Sequence, residues 1–243
     1  KSHLPNNENI NNEQPFTKSN PRLVVDYLYP TWISKDTVLA LKKPYNQLPH
    51  WVLLNGAASK RLGLKYIGID DYFNYKNDQI IYTGYSTDAR WDWKEFNDVY
   101  IFNVKDGSTH RVTKNQRLFS PDLSNDGQSM VAVQMSEKGG SALSFWDLST
   151  QQQSSLVEHP EKQMLSFPVF GNASDQIYMI AKKNDGSSAL LCYSTMNKSF
   201  TTLIPYVNAP MAFLRFRKNQ LMFTITQSGK NELWLFDLAE KQL

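Results

Sequence analysis

Few side chains in this sequence are arranged to do covalent or metal chemistry. The four histidines, at 3, 50, 110 and 159, lack the close spacing that lets two imidazoles share a zinc ion. Cys192 is the only cysteine, which excludes an internal disulfide. It stands in the apolar run ALLCYS without a neighbouring His or cation to activate a thiol, and reads as a buried strand residue. There is no Gly-x-Ser-x-Gly elbow and no phosphate-cradling Gly-rich loop closed by Lys-Ser/Thr. Asp70-Asp71 is a carboxylate pair, but neighbours on a strand point to opposite faces and would not share a proton. The Asx-Gly turns lack the spaced oxygen ligands of a dedicated Ca²⁺ loop. The expectation is a chain with no catalytic residue, no metal and no cofactor.

Binding chemistry is better represented. The segment STDARWDWKEFND, residues 86–98, holds Arg90, Trp91, Trp93 and Phe96. Upstream, KKPYNQLPHW supplies Tyr45, His50 and Trp51, and Arg117 opens a later apolar run. Arg beside Trp and Tyr is the composition of an interaction hot spot, because these side chains cover much area and keep a polar end. Two readings stay open. Arg90, Trp91, Trp93, Phe96, Arg117, Tyr45 and His50 form a partner-binding rim, or the aromatics fold back as a satellite cluster while Arg90 and Arg117 pair with local carboxylates such as Asp88 or Asp92.

Whether these residues meet depends on the elements that carry them, and those recur. Turn residues Asp36, Asp78, Asp126, Asp175 and Asn219 stand at intervals of between 42 and 49 residues. After each comes an apolar hairpin run (TVLALK, QIIYTGY, SMVAVQ, QIYMIAK, QLMFTIT), and later a third run (HWVLLN, DVYIFNV, ALSFWDL, ALLCYST, ELWLFDL). A polar turn and, in the first four units, a short fourth strand complete the pattern. Asn, Asp and Gly serve these turns because they tolerate positive φ. A repeat of this length with four strands predicts a β-propeller of four-stranded antiparallel blades. About five blades are visible, at roughly 28–66, 67–115, 116–159, 160–207 and an incomplete 208–243. Residues 1–21, rich in Asn, read as a linker or extended lead-in to a propeller spanning 22–243. RLVVDY (22–27) reads either as the last strand of a preceding blade or as a strand that closes the ring. In such a ring the second-to-third loops and the blade crossovers share one face, which would gather the aromatic and basic residues at the channel mouth.

Bulk properties agree. The 243 residues are 41% apolar and 13% aromatic, which suits a folded core. A net charge of +3, with no long Lys/Arg run, gives no footprint for nucleic acid, and no apolar run is long enough to span a bilayer. With neither an initiator Met nor an apolar leader, the chain reads as a processed or excised piece of something longer. The sequons at Asn172 and Asn197 are short enough to arise by chance.

RLFSPDLSNDGQSMVAVQ (117–134) is similar to the Ser-Pro-Asp-Gly hairpin of TolB-like six-bladed propellers. DVYIFNVKDGSTHRVT and SFWDLSTQQQSSL resemble the ending of that family's blades. The first, fourth and fifth units lack its Asp-Gly turn, and Asn125 stands where the family usually has Pro. The resemblance implies six blades and an exported protein of the bacterial periplasm or cell envelope. Within the group the chain looks most like the propeller part of large Bacteroidetes-type envelope or secreted proteins. In some of these the propeller accompanies a metallopeptidase-like domain, whose His-Glu-x-x-His motif is absent here. Two functions follow as expectations: a non-enzymatic module binding a protein, peptide or other ligand on its loop face, or an accessory domain of a larger hydrolase or peptidase.

Overall fold

The computed structural model describes residues 24–91, 93–136 and 139–240, all of whose regular elements are strands. They build five antiparallel sheets, each in chain order. Blade 1 comprises β1 (Val25–Trp32), β2 (Val38–Pro44), β3 (His50–Asn55) and β4 (Ala58–Leu64). Blade 2 comprises β5 (Phe73–Lys76), β6 (Gln79–Thr87), β7 (Glu95–Asn103) and β8 (Thr109–Arg111). Blade 3 runs β9 (Leu118–Leu123), β10 (Ser129–Met135), β11 (Ser141–Asp147) and β12 (Gln152–Glu158). Blade 4 runs β13 (Met164–Phe170), β14 (Gln176–Lys182), β15 (Ser188–Ser194) and β16 (Ser199–Val207). Blade 5 has three strands among the described residues, β17 (Met211–Arg217), β18 (Gln220–Gln227) and β19 (Lys230–Asp237). The propeller predicted from the repeat is therefore observed, with five blades rather than the six implied by the resemblance. Residues 1–21, read as a lead-in, lie outside the described residues.

Central strands are buried on both faces, as stacked sheets require. On β10, Met130 and Ala132 pack against blade 2, while Val131 and Val133 pack against blade 4. Trp51 of blade 1 seats edge-on against Phe73 (4.8 Å) and Tyr82 (5.3 Å) of blade 2. Three of the five repeated turns take the predicted positive φ: Asn77-Asp78 and Lys218-Asn219 have φ between 48° and 64°, and Gly127 has φ 70°, whereas Lys35-Asp36 and Ser174-Asp175 do not. In the third blade Ser124 Oγ donates to Asp126 Oδ1 (2.5 Å) and accepts from Ser129 N (2.9 Å), locking the SNDG turn.

Two readings need correction. Val25–Tyr27 belong to β1, paired with Lys42–Pro44, so this run opens the inner strand of blade 1 and is neither a preceding blade nor a closing strand. Asp70 and Asp71 lie in the crossover from β4 to β5, not on a strand, and both carboxylates act on buried Lys65. Burial is the largest influence on that ammonium and lowers its pKa, and the two aspartates oppose the shift.

The inner strands carry a device the repeat did not announce. β1, β9, β13 and β17 each slip register once, and each slip holds one non-glycine residue at positive φ: Tyr29, Ser120, Phe167 and Phe213. Pro30, Pro121 and Pro168 follow the first three, where a bulge leaves no ladder bond for the missing N–H. Three of these bulges aim aromatic rings at the axis, and Tyr72 just before β5 adds a fourth. The contacts run Tyr29–Tyr72 (5.6 Å), Tyr72–Phe167 (5.2 Å), Phe167–Phe213 (5.4 Å) and back from Phe213 to Tyr29 (5.6 Å). This closed circuit of four rings plugs the axis and separates the two faces of the propeller.

Candidate functional site

In antiparallel sheets taken in chain order, second-to-third loops and blade crossovers lie at one end, and first hairpins lie at the other. The loop between β6 and β7 is residues 88–94, shorter than the stretch read from sequence. Ser86 and Thr87 pair with Phe96 and Glu95, so Phe96 is a strand residue, buried to 7% exposure. The loop closes on itself through Asp88 N to Lys94 O (2.9 Å) and Lys94 N to Trp91 O (2.8 Å), and Asp88 Oδ1 accepts from Arg90 N (2.8 Å). This short frame presents Trp91 and Trp93 outward, 56% and 78% exposed, with ring centroids 6.2 Å apart.

Beside this loop lies a cavity of about 640 Å³. Trp93, Lys94 and Phe96 wall one side, Asn115–Arg117 another, and the end of β10 a third. A second hollow of about 480 Å³, bordered by Arg90 and Trp91, shares Lys94, Phe96 and Asn115 with it. One buried carboxylate shapes the wall from behind. Asp98 accepts from Arg111 Nη2 (2.5 Å), Thr113 Oγ1 (3.0 Å), Asn115 N (3.1 Å) and Gln116 N (3.0 Å). Asn97 adds bonds to Leu118 O (2.7 Å) and Gln116 O (2.8 Å). The blade 2 to blade 3 crossover is thereby folded into a fixed lip, with Asn115 at φ 58°.

The structure thus brings Arg90, Trp91, Trp93, Phe96 and Arg117 to one rim. Among the described residues no carboxylate forms an ion pair with Arg90 or Arg117, and Asp92 lies outside them. Tyr45 and His50 are elsewhere. Tyr45 stands 94% exposed on the β2–β3 loop, and His50 is buried in blade 1 with Nδ1 3.0 Å from Leu48 O. Neither lines the two hollows.

Sequence reasoning missed a second concavity, on the opposite face. The C-terminal ends of the inner strands surround an axial pocket of about 180 Å³ to which all five blades contribute. Asp122 sits in its wall with its side chain 6% exposed, accepting from Phe170 N (2.9 Å) and facing Lys76 Nζ (3.4 Å). Burial raises the Asp122 pKa most strongly, and Lys76 and Arg215 pull it back. Lys76 also donates to Leu123 O (2.5 Å). Arg215 donates to Tyr72 Oη (2.9 Å) and Phe73 O (2.7 Å), its guanidinium 4.5 Å from the centre of the Tyr72 ring. These residues come singly from blades about 45 residues apart, so no local motif contains them. Their shared signal is a place two to four residues before the turn residues Asp78, Asp126 and Asn219.

No protein-family model and no curated protein matches the sequence. Solved structures do match in fold. TolB from Acinetobacter baumannii superposes with a TM-score of 0.61 at 16% identity, covering 79% of this chain and 47% of that one. A structure assigned as TolB from Agrobacterium tumefaciens gives 0.65 at 12% identity, covering 89% and 78%. The β-propeller domain of the trilobed protease from Pyrococcus furiosus, described as having an open velcro topology, gives 0.53 at 11%, covering 88% and 83%. The chain spans about half the length of the Acinetobacter TolB and about a third of a prolyl endopeptidase it also resembles. At these identities the likeness is one of fold: an all-β propeller shared with TolB and with the propeller domains of peptidases. No helix of the described residues is long and apolar enough to cross a membrane.

Proposed function

We propose that this propeller is a non-enzymatic binding module that docks a protein or peptide on the face of its second-to-third loops. The observation that carries the reading is the Trp91–Trp93 pair, held outward on a self-bonded loop beside a 640 Å³ cavity. Solvent-facing tryptophans on a rigid support cost little ordering entropy when a partner covers them, and Arg90 and Arg117, which form no ion pair among the described residues, add positive charge to the same patch. The small area these indoles bury at home argues against the alternative that they cap the blade edge. By fold analogy with TolB, the module works in the bacterial envelope or periplasm.

A second reading treats the chain as an accessory propeller of a larger hydrolase or peptidase. It is favoured by the peptidase chains among its structural likenesses, of which it covers only part. In that case the rim partner is another domain of the same polypeptide.

The test is site-specific photocrosslinking. A photoreactive residue at position 93 is compared with one at Lys198, a surface turn on the opposite face, in the native host. A specific adduct from position 93 that disappears with Arg90→Ala supports the rim; equal adducts from both positions refute it. An adduct formed within the same polypeptide selects the accessory-domain reading.

A further inference from the structure

We propose that the axial pocket, on the face opposite the tryptophan rim, binds a small oxyanion: a carboxylate or phosphate group. The proposal is independent of the rim and of any partner docked there.

Three features support it. The pocket is blind, because the circuit of Tyr29, Tyr72, Phe167 and Phe213 closes the axis behind it. At about 180 Å³ it holds several times a water molecule's ~30 Å³ share of liquid, room for a small anion but not a folded element. Its charge is unbalanced: Lys76, Arg215 and Arg217 line it against the single carboxylate of Asp122. That carboxylate is already bonded to Phe170 N and Lys76, and so is not waiting for a cationic ligand.

Geometry then distinguishes an anion site from a set of blade cross-links. Two of the cations are held before any ligand arrives. Lys76 is tied to Leu123 O of the next blade, and Arg215 sits 4.5 Å over the Tyr72 ring with two bonds made, leaving its other N–H donors for a ligand. Arg217 differs: it is exposed at the mouth and makes no ion pair among the described residues. A cross-linking role needs Lys76 and Arg215 but gives Arg217 nothing to do. Phe170 and Phe216 complete an apolar wall, so an oxyanion carrying a short apolar body fits better than a bare ion.

The experiment titrates the full chain by calorimetry, at low ionic strength, with three probes. These are inorganic phosphate, a tetrapeptide with a free C-terminal carboxylate, and the same peptide amidated. Arg217→Gln tests the pocket, and Lys198→Gln controls for loss of one surface charge on the same face. Saturable phosphate binding weakened tenfold or more by Arg217→Gln but not by Lys198→Gln supports a free anion as ligand. Binding of the free-carboxylate peptide alone, with the same variant pattern, supports a chain terminus as its source. Absence of saturable binding by phosphate and by either peptide overturns the proposal. So does affinity that survives Arg217→Gln, or that falls equally in both variants. Thermal midpoints within about 2 °C of the parent are expected for both substitutions, which touch exposed side chains.

Discussion

Asp98→Ala should damage the rim although Asp98 itself does not line the cavity. The carboxylate is fully buried and is the common acceptor for Arg111, Thr113, Asn115 N and Gln116 N. Removing one partner of a buried ion pair costs about 3–5 kcal/mol, because the remaining charge loses its counterion. Here the Arg111 side chain is 34% exposed and can regain water, which places the loss near the lower end, about 3 kcal/mol. A domain of this size shifts roughly 2–4 °C per kcal/mol, so the melting midpoint should fall by about 6–12 °C. The assay is thermal unfolding followed by far-ultraviolet circular dichroism, repeated for Asp98→Asn. Asn keeps the volume and one carbonyl acceptor but turns an NH2 toward donors, and should fall between parent and Ala. Partner crosslinking from position 93 should weaken in step, since Asn115–Arg117 lose the anchor that makes them a wall. A midpoint within about 2 °C of the parent for Asp98→Ala would show that the crossover holds its shape by other means, and the reasoning would fail.

Trp93→Ala should leave the midpoint within about 1 °C, because an indole at 78% exposure loses little on truncation; a large thermal loss would mean it packs. Tyr72→Phe removes the hydroxyl that accepts from Arg215 and Asn74, and should cost about 1–3 kcal/mol in denaturant unfolding; a neutral result would show that the phenol ring alone joins blades 2 and 5. The thiol of Cys192 is pushed up to about 11 by burial, so alkylation by iodoacetamide at pH 8 should be far slower than for a free thiol until the protein is unfolded; equal rates would place it at the surface. The turn carboxylates Asp106, Asp126, Asp147 and Asp185 are held below their ordinary value by hydrogen bonds from the following or preceding Ser. A folded pKa below the unfolded one gives stability that is present above the ordinary carboxylate pKa of about 3.9 and lost as pH falls through the folded values. The melting midpoint should therefore decline below about pH 4, and Asp126→Asn should reduce that slope; an unchanged slope would remove the turns from the account.

The blades were legible because their signals are local. A hairpin is written in a few consecutive residues, and Asn77-Asp78 or Asp126-Gly127 states its φ requirement directly. The Trp91–Trp93 rim was legible for the same reason: its residues share one loop. The structure does not bring His50 and Tyr45 to that rim, because closeness in blade order says nothing about exposure; one is buried by its own strand and the other stands apart. The axial pocket was illegible by local reading, since Lys76, Asp122 and Arg215 meet only after the ring forms. Aligning the units by their turns places Asp122 and Arg215 at one offset, with Lys76 two residues further along its strand. Each of these residues falls a few positions before its first hairpin, so the repeat that gave the fold also held the coordinates of the pocket.

The bulges explain why the two faces of the propeller are separate surfaces. A non-glycine residue at left-handed φ costs about 1–2 kcal/mol, and this is repeated at Tyr29, Ser120, Phe167 and Phe213. The four ring contacts they and Tyr72 make return about 0.5–1.5 kcal/mol each, so the strain and the aromatic gain nearly offset. A device that is close to neutral in stability but present in four blades is better explained by where it puts side chains. It turns Tyr29, Phe167 and Phe213 into the axis and then sets the next residues, Thr31, Val169 and Arg215, on the pocket wall. Replacing the bulge by regular pairing would shift each later inner residue to the other face of its strand. Arg215 would leave the pocket and the plug would open. Closure of the axis and assembly of the cationic pocket are therefore one structural event, and the tryptophan rim on the far side shares no channel with the pocket.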